Sequence, residues 1–483
     1  MKDKVTKPKV ISSMFWKLLE KGGTQAISLV VQIVLARLLT PEDFGTIAIV
    51  LALINIAQVF VQGGLNTALI QKKDADTVDF STVFYSSTVI AIVFYLILFV
   101  TAPIPAALYK NQDLVRIIRV LSLMLFPGAL NSVQNAFISK NMLFKKQFNI
   151  SLLSMLIGGL AGISAAYMGL GVWTLVIYYL SVQFFSATIM FLVIKWRPTS
   201  KFSFERLRVL FSFGGKLLVS DLLNRFYLDF RTLIIGKRFS STLLGYYNRG
   251  ESIPRAVMEA INGSIQAVML PTLASIQDDK EGLKRVLRRS LKTSSFLVFP
   301  AMAGLTAVAK PLVHLLLGEK WLPALPFVQV FCLAAAFQMI QTANIQALHA
   351  LGRGDTYLKL EAIKKITGLI VFFICIPFGM VAIAIGFAIS AIVDAFIHMF
   401  SNKTLCDYSA GEQLRDILPA LILSLIMGLA IYLLGFINLV IWQKLMIQVP
   451  AGVLIYVALA RLFKLESWDY MLTAVREIVR NRS

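Results

Sequence analysis

Apolar runs of membrane length recur along the whole chain, separated by short polar or Pro/Gly-bearing breaks. They lie near 22–39, 44–70, 80–102, 114–139, 148–167, 172–194, 213–235, 242–274, 293–309, 323–350, 358–376, 380–400, 413–435 and 438–460. A helix needs about 20 apolar residues to cross a bilayer, so the pattern predicts an all-α polytopic membrane protein of about fourteen transmembrane helices. Two runs break the rule. The stretch Lys216–Asn262 carries Asp221, Arg225, Asp229 and Arg231, then Arg249, Glu251, Arg255 and Glu259. Each such charge near a bilayer centre costs roughly 2.5–3.5 kcal/mol on insertion scales, so these side chains belong on a wet or protein-lined face. At about 100° per residue, the polar positions of each run fall within an arc of roughly 160°.

The spacing adds detail. Asp221–Arg225–Asp229 and Glu251–Arg255–Glu259 are acid–base–acid ladders at i, i+4 and i+8, where side chains of one helix meet. A hairpin turning near Ser240 would set Arg225 level with Arg255 and Arg231 level with Arg249. Arg231 and Arg249 have no acid three or four residues away, so their charges are the least neutralised locally. One reading is a polar binding cavity; the other is that four bases and four acids neutralise one another and lock two helices. Buried ion pairs are weak sources of stability compared with apolar packing, which favours the cavity.

An internal repeat points to two halves. Ala36-Arg37-Leu38-Leu39-Thr40-Pro41-Glu42-Asp43-Phe44-Gly45 superposes on Gly236-Lys237-Arg238-Phe239-Ser240-Ser241-Thr242-Leu243-Leu244-Gly245 at a shift of 200. Met168-Gly169-Leu170-Gly171-Val172 echoes Phe378-Gly379-Met380-Val381-Ala382 at a shift of 210. The first half contributes Lys17, Glu20, Lys21 and the amides Gln25, Gln32, Asn55, Gln58, Gln62 and Asn66 where the second has arginines. The predicted organisation is a lobe over 1–195, a cytoplasmic linker helix over 196–212, a second six-helix lobe over 213–403, two further transmembrane helices over 404–462 and an amphipathic basic tail over 463–483. Repeated halves with a polar seam describe an alternating-access carrier.

Composition agrees. The 483 residues are 57% hydrophobic and 15% charged, against about 25% charged in a soluble domain. The net charge of +21 is a matter of topology rather than of nucleic acid. With both termini inside, the inner segments hold 34 of the 47 basic residues and the outer ends hold nine, as the positive-inside rule requires. The N-terminal stretch has no small-residue cleavage site after a clean apolar core, so no removable signal peptide is expected.

Several chemistries have no motif. There is no Gly-rich phosphate loop ending in Gly-Lys-Ser/Thr, no His-Glu-x-x-His and no Cys-x-x-Cys, so neither a nucleotide, a metal nor another cofactor is expected. Cys332, Cys375 and Cys406 are scattered, as are His314, His349 and His398; Asp394, four residues before His398, makes a polar pair or a proton site. A membrane glycosyltransferase would need more than Glu42-Asp43 in a short turn, and carboxylates at a helix start serve the helix dipole. The chain is not expected to be an enzyme.

Leu35-Ala36-Arg37-Leu38-Leu39-Thr40-Pro41-Glu42-Asp43-Phe44-Gly45, Ala68-Leu69-Ile70-Gln71-Lys72-Lys73 and Tyr246-Tyr247-Asn248-Arg249 followed by Leu270-Pro271 resemble the polysaccharide flippases of the multidrug/oligosaccharidyl-lipid/polysaccharide exporter superfamily, in the branch handling colanic acid, O-antigen and teichuronic acid precursors. The resemblance implies two six-helix lobes plus two extra helices, forming a V around a central cationic cavity in a bacterial plasma membrane. It implies a substrate, an undecaprenyl-diphosphate-linked oligosaccharide flipped from the cytoplasmic to the outer leaflet, with a glycan polymerase and export machinery as further partners. The cationic role carries over to Arg225, Arg231, Arg249 and Arg255, with Lys17 and Lys21 at the cytoplasmic mouth. Asp221, Asp229, Glu251 and Glu259 are candidates for proton or sodium coupling. Their abundance departs from a plainly cationic lumen and keeps open a cation-coupled small-molecule exporter, in which the acids bind substrate.

Overall fold

The computed structural model describes residues Lys7–Arg480, and among them it contains helices and turns but no strand. Fourteen helices have 17 or more residues: α1 (Lys7–Leu38), α2 (Pro41–Gln62), α3 (Thr77–Thr101), α4 (Leu125–Asn141), α5 (Phe144–Tyr167), α6 (Val172–Val193), α7 (Phe204–Arg238), α8 (Ser241–Ala274), α9 (Lys280–Leu317), α10 (Leu325–Ala350), α11 (Gly354–Cys375), α12 (Met380–Cys406), α13 (Ala410–Leu434) and α14 (Ile441–Leu462). The tail forms α15 (Glu466–Arg480). Nine of the described helices are long and apolar enough to cross a membrane by length and composition. The helices that miss that standard include α7 and α8, whose charges lower their mean hydropathy, and α4, which is short.

Caps explain several boundaries. Thr40 and Asp43 form a capping box at the start of α2, with Pro41 in the first turn; Asp43 Oδ2 accepts from the Thr40 backbone at 2.9 Å. Asp43 therefore serves the helix terminus. Asp76 and Asp79 cap α3 in the same way, and Ser409 with Glu412 caps α13.

Contacts divide the chain into two compact units, Met1–Gly245 and Tyr246–Ser483. In the first, α1 packs on α5, α5 on α6, and α7 on α2. The apolar core is built from Leu35, Val50, Ile54, Ile117, Leu121, Leu125 and their neighbours. In the second, α9 packs on α10 and α13, and α12 packs on α10 and α11. A separate core of Phe296, Val308, Leu423, Met427 and Tyr456 joins α9 to α13 and α14.

Three expectations change in detail. The basic segment before Gly22 is, from Lys7 onward, continuous with α1. The predicted run 114–139 is split into a helix at Asp113–Leu121, a 3-10 turn at Ser122–Met124 and α4. The Lys195–Leu210 connection is not a separate linker helix. Its first part is extended and docked on α3, with Trp196 against Phe80 and Phe84 and the Thr199 N–H donating to Ser81 at 2.9 Å. Its second part is the start of α7, capped by Ser203. Because α7 packs on α2, the compact units divide at Gly245 and not at the 196–212 linker.

The repeated turns before α2 and α8 meet within the first unit. A Cβ on Gly45 would lie 1.7 Å from the Ser241 carbonyl oxygen, and one on Gly245 would lie 1.9 Å from that of Pro41. Gly45 and Gly245 are 200 residues apart, as are Pro41 and Ser241. The contact is thus reciprocal between equivalent positions of the repeat, and only glycine admits backbones this close.

Candidate functional site

The charged face of α7 is organised by one ion pair. Arg225 grips Asp229 one turn away in bidentate fashion, Nε to Oδ2 and Nη2 to Oδ1, the latter at 3.1 Å. Asp229 is buried and also takes a hydrogen bond from Asn55 of α2. The ladder is therefore used on one side only. Asp221 is exposed and has no ion-pair partner among the described residues. Arg231 lies over the Tyr227 ring at 4.9 Å, a cation–π arrangement.

On α8 the partners differ. Arg255 reaches both acids of its ladder, Glu251 at 3.4 Å and Glu259 at 3.2 Å, while its side chain remains 64% exposed. Arg249 is buried, with its guanidinium 5.7 Å from the Trp321 ring centre. Trp321 itself is fully buried in the 3-10 turn Glu319–Ala324 and meets Tyr246 edge-on. The two arginines that lack a nearby acid in the sequence are thus the two that rest on aromatic rings.

Lys17 and Lys21 sit on α1 in a different patch. Lys17 pairs with Glu20 at 2.6 Å and contacts Gln147 of α5 at 3.3 Å. Glu20 in turn accepts from Ser151 at 3.2 Å. Lys145 lies over Trp16, and Trp16 meets Phe148. Lys21 is exposed, with no ion-pair partner among the described residues.

Sequence reasoning named Gln58 but missed other polar positions of the interior, Gln134, Asn131 and Gln183 among them. Gln58 and Gln134 each have both side-chain polar atoms buried without a hydrogen-bond partner, and Gly128 leaves the space that Gln58 fills. Asn131 bonds Gln183 at 3.1 Å. In the second unit, α9, α10 and α13 enclose an apolar groove of about 600 Å³, lined by Phe299, Met302, Phe337, Leu421, Leu425 and Tyr432 among others. No cluster of three or more His, Cys, Asp or Glu side chains able to hold a metal occurs among the described residues.

Helical throughout its described residues, with nine helices long and apolar enough to cross a membrane, the chain has the make-up of a polytopic membrane protein. The structure shares the fold of the lipid II flippase MurJ in an inward-closed conformation: 17% identity, TM-score 0.73, covering 95% of this chain and 99% of that one. Residues 34–326 match the model of the polysaccharide biosynthesis protein family, and the chain belongs to that family. It is 27% identical over 71% of its length to the succinoglycan biosynthesis transport protein ExoT of Rhizobium meliloti, covering 70% of that protein. It is 25% identical to the lipopolysaccharide biosynthesis protein WzxC of Escherichia coli over 88% of each chain.

Proposed function

We propose that this protein is a flippase for lipid-linked oligosaccharides, carrying an undecaprenyl-diphosphate-linked repeat unit from the cytoplasmic to the outer leaflet of a bacterial plasma membrane by alternating access. Its work is transport rather than catalysis. The observation that carries the reading is the set of four arginines on α7 and α8, in a chain whose family is that of polysaccharide biosynthesis. Guanidinium is the side chain suited to a diphosphate, since its planar fork donates to two oxygens at once. Arg225, Arg231, Arg249 and Arg255 are the candidate groups, with Lys17 and Lys21 as an entry patch on the cytoplasmic side. Amides such as Asn55 and Gln58, and the rings near Trp16, suit sugars. The apolar groove of the second unit suits a prenyl chain. The outward step of about two negative charges against an inside-negative potential of 100 mV is favourable by roughly 4–5 kcal/mol, at ~2.3 kcal/mol per charge. A glycan polymerase would receive the product.

A second reading has its own support. Arg225 and Arg255 are each held by acids on the same helix, as expected if Asp229, Glu251 and Glu259 (with Asp221 nearby) bind a cationic substrate or a coupling ion. Substitution separates the two. Arg225→Ala with Arg255→Ala is expected to stop surface glycan export and to accumulate the lipid-linked intermediate on the inner leaflet, measured by mass spectrometry of extracted lipids. Export that survives both arginine changes but fails on acid-to-amide changes transfers the binding role to the carboxylates.

A further inference from the structure

The connection between the halves carries an exposed patch that the arginines of α7 and α8 do not use. Residues 195–203 run extended along α3 and are fixed to its first turn. The Thr199 N–H donates to Ser81 at 2.9 Å, the Ser203 N–H donates to Thr82 at 3.2 Å, and Arg206 of α7 pairs with Asp76 and Asp79. Trp196 is buried against Phe80 and Phe84. With one side of the strap held this firmly, the other side is fixed as well. It presents Phe202 and Phe204, 39% and 79% exposed, whose rings meet edge to face with centres 4.9 Å apart. Two phenyl rings left in water forgo the free energy that burial would release.

The patch is cationic. Lys195, Lys201 and Arg208 are exposed and have no ion-pair partner among the described residues. Arg197 donates to the Ile194 and Trp196 carbonyl oxygens and lies over the Phe191 ring at 3.9 Å, contacts that leave its charge unbalanced. Glu205 is the single acid between positions 195 and 208. The level of the strap matters as much as its charge. Ser81 and Thr82, which hold it, lie where the apolar run 80–102 begins. A membrane boundary falls there, since that helix is long and apolar enough to cross a bilayer. Rings and unbalanced bases at that depth fit a lipid surface. Acyl chains just below the headgroups take the rings, and phosphates take the ammonium and guanidinium groups. A protein partner would have to match both at a depth where lipid is already present.

We propose that the strap at 195–208 is a docking surface for acidic phospholipid, with Phe202 and Phe204 seated at the acyl boundary and Lys195, Arg197, Lys201 and Arg208 on the headgroup phosphates. It moors the crossing between the two halves, and with it the start of α7, to the membrane surface. This goes beyond the flippase reading and does not depend on it. The test uses the full-length protein with Cys332, Cys375 and Cys406 replaced by alanine. A nitroxide is attached at Phe204→Cys or at Phe202→Cys, each variant keeping the other ring. The protein is reconstituted into vesicles of phosphatidylcholine alone, or of phosphatidylcholine and phosphatidylglycerol in equal parts. Electron paramagnetic resonance then compares collisions with oxygen, which concentrates among acyl chains, and with a nickel chelate, which stays in water. With phosphatidylglycerol present, both labels should meet oxygen and be shielded from nickel. Omitting phosphatidylglycerol, or adding Lys201→Gln with Arg208→Gln, should shift both toward nickel. Labels open to nickel in both membranes overturn the proposal. So do labels seated equally deep whether or not phosphatidylglycerol and the two bases are present, because no acidic headgroup would then be recognised. Shielding found only in native membrane vesicles assigns the surface to a protein partner and overturns the proposal as well.

Discussion

At the scale of single residues, Arg225 and Asp229 show how far spacing alone carries an argument. The i, i+4 interval predicts contact, and the contact is present and bidentate. What spacing does not predict is the choice of Asp229 over Asp221. That choice depends on α2, which buries Asp229 and brings Asn55 to it. Breaking a buried pair leaves an uncompensated charge and costs about 3–5 kcal/mol. Asp229 is buried but the Arg225 side chain is 36% exposed, so Arg225→Ala is expected to destabilise the detergent-solubilised protein by less than that, about 1–3 kcal/mol, whereas Arg225→Met combined with Asp229→Leu should recover most of it. If the double variant is stable yet exports no glycan, measured as surface polysaccharide, the guanidinium acts on substrate and not only on Asp229. Arg249 lies beyond local spacing altogether, because its ring partner Trp321 is 72 positions away in a turn.

A second residue-scale prediction concerns acid. Asp76 lies outside the membrane spans, and the hydrogen bond from Arg206 holds its carboxyl at about 2, below the ordinary 3.8. The folded form thus prefers the charged carboxylate more than the unfolded form does. Its contribution is fully present above pH 4 and is lost as pH falls from about 4 through about 2. Thermal unfolding followed by tryptophan fluorescence should show a drop in midpoint over that window, and Arg206→Ala should make the drop smaller but not abolish it, because the Val78 and Asp79 backbone N–H groups still donate to Asp76 and Glu412, held at about 2 beside Lys284, titrates over the same range. Because Asp76 and Arg206 are both substantially exposed, the effect is small and should weaken further in high salt.

At the scale of elements, hydropathy reads most helices correctly, since apolar run lengths and caps such as Thr40–Asp43 and Ser409–Glu412 are local. It misplaces ends that tertiary contacts decide. The residues after Lys195 look amphipathic and helical, yet Trp196 is drawn into the Phe80 and Phe84 cluster and keeps the chain extended until Ser203 caps α7. The repeat at a shift of 200 is visible in the sequence, but the reason for its glycines is not. Gly45 and Gly245 are required because each lies against the carbonyl group that begins the other's helix. Overpacking of this kind typically costs 1–3 kcal/mol, and backbone on the opposing side yields less readily than a side chain. Gly45→Ala and Gly245→Ala should each lower the thermal midpoint. The double variant should lose less than the sum of the two, because separating the turns once relieves both clashes. Full additivity would mean that the two contacts are independent.

For the whole molecule, the sequence predicts an orientation from charge counts in the connections, a signal independent of packing. The 34 basic residues assigned inside against nine outside predict both termini inside, and with that the direction in which a substrate would have to move. The division into units at Gly245 is not legible in the same way, since it follows from which neighbour α7 packs on. Cysteine accessibility tests the orientation directly. The natural thiols, Cys332 and Cys406 buried and Cys375 half-buried, are first replaced by alanine. Single cysteines are then introduced at exposed positions of opposite assignment: Gln112→Cys and Asn438→Cys on the outer side, Lys201→Cys and Asp278→Cys on the inner side. In intact cells a membrane-impermeant maleimide should label the first pair and spare the second until the membrane is opened. The reverse pattern would invert the positive-inside assignment and place Lys17 and Lys21 on the outer face. The lipid-linked substrate, made in the cytoplasm, would then meet the wrong end of the arginine-bearing helices, and the flippase reading would fail with it.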